Sequence, residues 1–245
     1  MQSLIRGLDV LQAVKDHQPC TLQKVHAATG LPKSTTLRIL AALEQRGLIF
    51  RPIDDSRYRT SARSLFEGSA RDMRTVLQEV AAPVLARLCK QVAWASDLTV
   101  RDGFSMMVVA SNRMLSPFPI KPSPHGHHPD MLLTAVGRAY LAFASEAERR
   151  EILDGIAAKQ PRHPLIRDRK RGDDILRQTR EQGYGVRSET KQDGFSAIAV
   201  PILHAGGPIA CINLFYYSSA VSLPHLVADH LEPLKSAAAE IAGRL

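Results

Sequence analysis

The sequence predicts a two-domain α+β protein, and three observations support that prediction. Residues 21–47 read as a short helix, a glycine-containing turn and a second helix, with a short basic hairpin after them. Strands that pair as hairpins alternate with helices in the rest of the chain. The 245 residues and the 44% apolar content suit two modest globular domains. We expect a winged helix-turn-helix domain over residues 1–61, a linker helix over 62–80 and a second domain over 81–245.

Three helices are predicted in the first domain. The first, over residues 3–16, has apolar residues at spacings of three and four, namely Leu4, Leu8, Leu11 and Val14. Thr21 is a good N-cap and Gly30 a good C-cap for a second helix. Pro32 suits the first position of a third helix, which ends at about Arg46.

Two short strands, 48–51 and 57–60, flank a turn-rich tip and form the predicted wing. A polar helical stretch follows from about residue 62 to residue 88, and Pro83 is expected to break it. In the second domain, the Asp102-Gly103 turn joins two strands. The remaining predicted elements are strands 96–101 and 105–110, a loop over 116–130, helices 134–144, 146–159 and 168–182, strands 196–203 and 208–217, and a closing helix over 224–244.

The third helix has one apolar and one polar side. On a helical wheel, the apolar arc holds Leu37, Ile39, Leu40 and Leu43 and is expected to face the core. Short hydroxyls and basic side chains lie opposite, as on a recognition helix that contacts base edges, and arginines in the wing suit phosphates. The formal charge of +8 also favours a polyanionic partner. We therefore predict binding to double-stranded DNA through Lys33, Ser34, Thr35, Thr36, Arg38, Arg51, Arg57 and Arg59. The alternative is a three-helix core with a solvated basic face.

Other functional classes have little support in the sequence. No run of about 18 apolar residues predicts a membrane span, and no signal sequence is evident, so a cytoplasmic location is expected. Three widely spaced cysteines argue against a disulfide framework. No motif of a hydrolase, zinc protease or phosphate-binding loop occurs. His125, His127 and His128 can coordinate a metal, but their incomplete ligand spacing favours a solvated or pocket-capping loop, so neither a metal nor a cofactor is predicted.

Several ordered motifs resemble the IclR family of bacterial transcription regulators. They are IRGLDVL at 5–11, TGLPKST at 29–35, LEQRG at 43–47, LTAVGRAYLAF at 133–143, GYG at 183–185 and IAVPI at 198–202. The resemblance implies a winged helix-turn-helix, a linker helix and a GAF-like effector domain with a curved antiparallel sheet. It also implies a homodimer or homotetramer on a near-palindromic operator. Residues 92–97, 134–143 and 211–214 most resemble a subgroup that regulates aromatic-acid catabolism.

Effector contacts carried over from the family fall on Ala135, Val136, Arg187, Ala197, Asn213 and Phe215. Small 2-oxo-acid sensors of the family have an acidic residue, a cysteine and two serines at the last four of these positions. The changes to arginine, alanine, asparagine and phenylalanine imply a larger anionic effector, an aromatic carboxylate. Arg187 would pair with the carboxylate and Phe215 would stack on the ring. Ordinary core packing for Phe215 and a surface charge for Arg187 remain alternatives.

Trp94 and Asp97 are further candidates for effector binding, although tryptophan is more often part of a core and Asp97 can cap a turn instead. The prediction is therefore a DNA-binding transcriptional regulator that is controlled by a small-molecule effector, an aromatic carboxylate, and that acts on a catabolic operon. One rival is an enzyme that acts on a small organic acid and is tethered to DNA. Another is a structural DNA-binding protein without a ligand.

Overall fold

A computed structural model describes residues 2–52, 55–61, 73–118, 120, 127–187 and 194–245. The chain divides into two compact units, Met1–Ala82 and Pro83–Leu245. Residues 62–72 of the predicted linker helix lie outside the described residues, and so do residues 53 and 54 of the predicted wing tip.

The first unit contains the three predicted helices and the predicted hairpin. Thr21 accepts a hydrogen bond from the Lys24 N–H at 3.3 Å and so caps the second helix. That helix ends at Gly30, whose φ of +67° is the left-handed conformation that favours glycine. The elements are α1 (Gln2–His17), α2 (Leu22–Thr29), α3 (Lys33–Gln45), β1 (Ile49–Phe50) and β2 (Arg59–Thr60), and the two strands pair antiparallel.

The core of the first unit corrects the predicted apolar arc of α3. Leu37 is 49% exposed, whereas Thr36 is fully buried. The core-facing residues of α3 are therefore Thr36 and Leu40, which are buried, together with the partly buried Ile39 and Leu43, which pack against the same core as predicted. Thr36 can be buried because its hydroxyl donates to the Pro32 carbonyl at 3.1 Å. On α1, Leu11 and Val14 are buried as expected, but Leu4 and Leu8 are exposed.

The second unit contains an antiparallel sheet of five strands in the order β4-β3-β7-β6-β5. Its strands are β3 (Asp97–Asp102), β4 (Ser105–Ser111), β5 (Gly185–Arg187), β6 (Ser196–His204) and β7 (Gly207–Tyr216). Its helices are the last part of α4 (Met73–Val92), then α5 (Ala135–Phe143), α6 (Glu146–Lys159), α7 (Pro164–Arg167), α8 (Arg169–Gln182) and α9 (Leu223–Ala242). The short elements α7 and β5 were not predicted.

The prediction that Pro83 breaks the helix is wrong. Pro83 lies inside α4, which continues to Val92. Proline removes the N–H that would bond to the carbonyl of Glu79, and this loss weakens a helix without always ending it. Packing holds α4 together on both sides of the proline, because Leu77, Ala81 and Leu85 are almost fully buried.

Two glycines allow close packing around the start of α5. A Cβ atom on Gly137 would lie 2.2 Å from the Met131 carbonyl oxygen, so the turn before α5 can approach the helix only if this residue is glycine. A Cβ atom on Gly185 would lie 2.3 Å from the Ala135 carbonyl oxygen, so β5 approaches α5 equally closely. The first turn of α5 is thereby fixed between a preceding turn and the edge of the sheet.

Candidate functional site

The exposed side of α3 presents hydroxyl and basic groups. Lys33, Ser34 and Arg38 are exposed, and Thr35 is half-buried. These four residues of the predicted DNA interface lie in the first two turns, where a recognition helix contacts base edges. In the described residues Arg38 has no side-chain partner, so its guanidinium is available for an external acceptor.

Thr36 does not belong to this surface. Its side chain is fully buried, and its hydroxyl bonds to the carbonyls of Pro32 and Leu31 at 3.1 and 3.4 Å. The prediction that Thr36 contacts DNA is therefore corrected: its hydroxyl stabilises the first turn of α3. Threonine commonly bonds in this way to a carbonyl four residues earlier.

The three wing arginines differ in their surroundings. Arg51 makes a two-point ion pair with Glu44 at 3.1 and 3.2 Å, and its guanidinium lies 5.0 Å from the ring centre of Tyr58. Arg59 makes a two-point pair with Asp55. Arg57 is exposed, and its guanidinium has no partner among the described residues. Of the three wing arginines, Arg57 is thus the one without an ion pair to a described residue.

A cavity of about 300 Å³ lies in the second unit, where the start of α5 faces the sheet. It is lined by seven of the eight residues predicted to bind an effector: Asp97, Ala135, Val136, Arg187, Ala197, Asn213 and Phe215. Trp94 is the exception. It stacks on Phe118 with ring centres 4.2 Å apart and is not part of the cavity lining.

The N-terminus of α5 provides hydrogen-bond donors to this cavity. Thr134 caps the helix by accepting the Gly137 N–H at 3.2 Å. The N–H groups of Ala135 and Val136 have no acceptor among the described residues. Two open donors and the positive end of the helix dipole favour a negatively charged group at this point.

A buried ion pair forms another part of the wall. Arg113 donates to both carboxylate oxygens of Asp97, from Nη2 at 2.7 Å and from Nε at 3.1 Å. The two side chains are 8% and 2% exposed. Asn213 accepts the backbone N–H of Asp97 at 2.6 Å and so fixes this strand end. Asp97 is therefore held by an arginine that the sequence analysis did not single out.

Aromatic rings form the apolar wall. Phe215 and Phe195 meet edge to face, with centres 5.2 Å apart. The Arg113 guanidinium lies 4.3 Å from the centre of Phe215, and that of Arg187 lies 4.9 Å from the centre of Phe195. Since Arg113 covers one side of the Phe215 ring, an aromatic ligand has to use the other side of that ring, its edge or Phe195.

The predicted histidine loop borders the same cavity. His127 and His128 are among its lining residues, and His128 Nε2 lies 2.8 Å from Asp102 Oδ2. His125 lies outside the described residues. In the part of the chain that the structure describes, no cluster of three or more His, Cys, Asp or Glu side chains is arranged to hold a metal ion.

Several lining residues were missed by sequence reasoning, above all Arg113, Asp130 and Phe195. A signal for Arg113 exists in the strand pairing. Asp97 is opposite Ser111 in the β3–β4 hairpin, so a cation two residues beyond Ser111 can reach Asp97. The hairpin was predicted, but its register and the bulge at Leu98/Thr99 were not.

A helix-turn-helix unit and a second unit with a ligand-sized cavity together define a class, the DNA-binding transcriptional regulators. Residues 3–51 match the IclR helix-turn-helix domain, and residues 73–242 match the domain described as bacterial transcriptional regulator IclR C-terminal. The chain belongs to the IclR family, whose members regulate transcription and are not enzymes.

Relatives match over almost the full chain. The HTH-type transcriptional regulator KdgR of Escherichia coli is 24% identical, covering 100% of this chain and 93% of KdgR. The Pca regulon regulatory protein of Pseudomonas putida is 27% identical, covering 100% and 84%. An IclR homologue from Microbacterium hydrocarbonoxydans, solved in complex with 4-hydroxybenzoate, superposes with a TM-score of 0.59 at 22% identity, covering 99% of this chain and 98% of that one. In the described residues, no helix is long and apolar enough to cross a bilayer.

Proposed function

We propose that this IclR-family regulator controls a catabolic operon in response to an aromatic carboxylate bound in the cavity. One observation carries the proposal: a single cavity is lined by the N-terminus of α5 with its unpaired N–H groups, by Arg187 and by an aromatic wall. The helix N-terminus and Arg187 suit the carboxylate of such a ligand, and the aromatic wall suits its ring. Effector binding would shift the affinity for operator DNA, and by linkage the operator would shift the affinity for the effector.

The carboxylate is assigned to the α5 end of the cavity. Open N–H groups on Ala135 and Val136 can donate to its oxygens, and Arg187 can add a charge-assisted bond. The Asp97–Arg113 pair is neutral as a unit, so it does not repel an anion. The ring of the ligand is assigned to the side lined by Phe195 and Phe215.

Two relatives support an aromatic ligand over a small 2-oxo acid. The protein from Microbacterium hydrocarbonoxydans was crystallised with 4-hydroxybenzoate, and the Pseudomonas putida relative is a Pca regulon regulatory protein. A cavity of about 300 Å³ also leaves a three-carbon acid loosely held, because ligands gain affinity by filling the space available to them.

On the DNA side, α3 is proposed to enter the major groove of a near-palindromic operator bound by a homodimer. Ser34, Thr35 and Arg38 would contact base edges, while Lys33 and Arg57 would contact phosphates. Arg51 and Arg59, which are paired with Glu44 and Asp55, are proposed to shape the wing and to contribute weaker phosphate contacts.

Calorimetric titration of the purified protein with 4-hydroxybenzoate tests the effector, with 4-hydroxybenzamide and pyruvate as matched controls. The amide has the shape of the acid without its charge, and pyruvate has the charge without the ring. We expect saturable binding of the acid, at least tenfold weaker binding of the amide and little binding of pyruvate. Equal binding of acid and amide would contradict the assignment of the ligand carboxylate to the α5 end of the cavity. Preferred binding of pyruvate would exclude an aromatic effector.

Fluorescence anisotropy with fragments from the protein's own promoter region tests the DNA side. Operator affinity should fall steeply as salt rises and should change when 4-hydroxybenzoate is added. No binding to these fragments at low salt contradicts the DNA proposal. Operator binding together with no thermal stabilisation by any aromatic acid favours a DNA-binding protein without a ligand.

A further inference from the structure

His163 has a buried polar atom without a partner. Its Nδ1 accepts the Leu165 N–H at 3.2 Å and so caps α7. An imidazole nitrogen that accepts a hydrogen bond carries no proton, so the neutral ring has its proton on Nε2. In the described residues, Nε2 is buried and makes no hydrogen bond. A buried donor without an acceptor is unusual in a folded protein and asks for a physical reason.

A carboxylate oxygen lies just beyond bonding distance. Asp130 Oδ2 is 3.5 Å from His163 Nε2. The other oxygen, Oδ1, accepts the N–H groups of Leu132 and Leu133 at 2.8 and 2.7 Å, and the Asp130 carbonyl accepts the Thr134 hydroxyl at 2.6 Å. Asp130 thereby holds the turn that leads into α5, and it also lines the cavity.

We propose that His163 is a positioning residue of the effector cavity and takes the Asp130 carboxylate as its acceptor when an anionic effector binds. This inference rests on the proposed function. A ligand carboxylate at the N-terminus of α5 shares a wall with the Asp130 carboxylate, and like charges repel at short range. A shift of Asp130 by about half an ångström toward Nε2 turns the contact into a hydrogen bond of ordinary length.

The surroundings of the turn make this shift the available response. Arg138 holds the turn from its other side by donating to the carbonyls of Leu132 at 2.8 Å and Val186 at 2.5 Å. Because these bonds tie the turn to β5, the side chain of Asp130 can move more readily than its backbone. Ligand binding in the cavity therefore brings the Asp130 carboxylate closer to His163, whose ring also caps α7.

Three variants separate this role from simple helix capping. Asparagine is a favoured N-cap residue, so His163→Asn keeps an acceptor for the Leu165 N–H but does not reach Asp130. His163→Gln has a longer side chain whose amide can place a donor near the Nε2 position. Asp130→Asn keeps an oxygen for the N–H groups of the turn but replaces the second oxygen with a donor.

The affinity of each variant for 4-hydroxybenzoate, measured by calorimetry, tests the proposal. His163→Asn should weaken binding about tenfold in the wild-type background and less than twofold in the Asp130→Asn background, because the two side chains act through one bond. His163→Gln should recover most of the loss. Without ligand, the changes in unfolding temperature of His163→Asn and Asp130→Asn should add in the double variant, since the bond between the two side chains is absent from the empty cavity.

Two outcomes overturn the inference alone: wild-type affinity in His163→Asn, or an equal loss in both backgrounds, which indicates a purely structural role. If the wild-type protein does not bind 4-hydroxybenzoate, 4-hydroxyphenylpropionate or benzoate, the proposed function fails, and the inference falls with it.

Discussion

Arg113 and Asp97 form a two-point ion pair at the edge of the cavity, with N–O distances of 2.7 and 3.1 Å. The pair arises from the register of the β3–β4 hairpin, which places Ser111 opposite Asp97. Since both side chains are buried and Arg113 also lies over Phe215, one arginine joins the polar wall of the cavity to its aromatic wall.

Removing one member of this pair should destabilise the protein. Asp97→Ala leaves the Arg113 cation buried without its carboxylate, and we expect the free energy of unfolding to fall by about 3 kcal/mol. Urea unfolding measures this loss. The control is Asp154→Ala, an exposed carboxylate of α6 with no partner in the described residues, which should change stability by less than about 0.5 kcal/mol. Equal losses in the two variants would contradict the importance of the pair.

Arg38 tests how α3 reads DNA. Arg38→Ala should cost about 1–3 kcal/mol of operator binding and relax the preference at one base pair if the guanidinium contacts guanine. Anisotropy titrations against a set of single-base operator variants measure both effects. An equal loss on every sequence would make Arg38 a phosphate contact instead.

Matched arginine controls separate base reading from overall charge. Arg57→Ala in the wing should weaken binding uniformly and lower the slope of the salt dependence by about one. Arg177→Ala removes the same charge from an exposed position on α8, where Arg177 pairs with Asp174, and should leave operator binding unchanged. A comparable loss in Arg177→Ala would mean that net charge, rather than the position of the arginine, governs the affinity.

The Arg187→Ala variant tests whether Arg187 binds the carboxylate of the effector. Arg187→Ala should weaken 4-hydroxybenzoate binding by about tenfold to a hundredfold, the range for a charge-assisted hydrogen bond, while operator affinity without effector stays intact. Calorimetry measures the first and anisotropy the second. The binding of 4-hydroxybenzamide should change little, because the amide carries no charge. Unchanged binding of the acid would remove Arg187 from the proposed site.

Tyr140 gives a prediction for alkaline pH. Burial, together with the hydrogen bond that its hydroxyl donates to Glu148 at 2.7 Å, raises the pKa of Tyr140 well above its ordinary value of 10.0. The unfolded chain therefore loses this proton at lower pH than the folded chain. The stabilisation is fully present below about pH 10 and declines as the pH rises beyond it. Urea unfolding should show the stability difference between wild type and Tyr140→Phe shrinking from pH 9 to pH 11; a constant difference would contradict this.

The features that the sequence predicted well are set by local chemistry. Residues 22–29 form a helix as predicted, because Thr21 caps its start and Gly30 adopts the left-handed conformation at its end. The hairpin turn at Asp102-Gly103 was also predicted correctly, because its conformation depends on the residues of the turn itself. Most of the predicted cavity residues came from the family resemblance, which carries information about the fold that spacing alone does not contain.

The features that were missed depend on contacts between distant residues. Burial of Thr36 requires the other helices of the first unit to close over it, and its neighbour Leu37 is turned outward as a result. Trp94 stacks on Phe118 and does not line the cavity. Arg113 became part of the cavity through strand register, and the continuation of α4 through Pro83 depends on buried neighbours. The position of Arg113 follows only once the strand register is known, and no propensity or spacing rule encodes the other arrangements.

The outward position of Leu37 adds a hydrocarbon surface to the stripe of α3 that also carries Ser34 and Arg38. The 5-methyl group of thymine is the apolar feature of the major groove, and a branched aliphatic side chain can pack against it. Recognition by α3 would then combine polar contacts from Ser34 and Arg38 with an apolar contact between Leu37 and the methyl group of a thymine. Operators synthesised with uracil in place of individual thymines would locate such a contact, because only the methyl group is lost while every base-pairing hydrogen bond is kept.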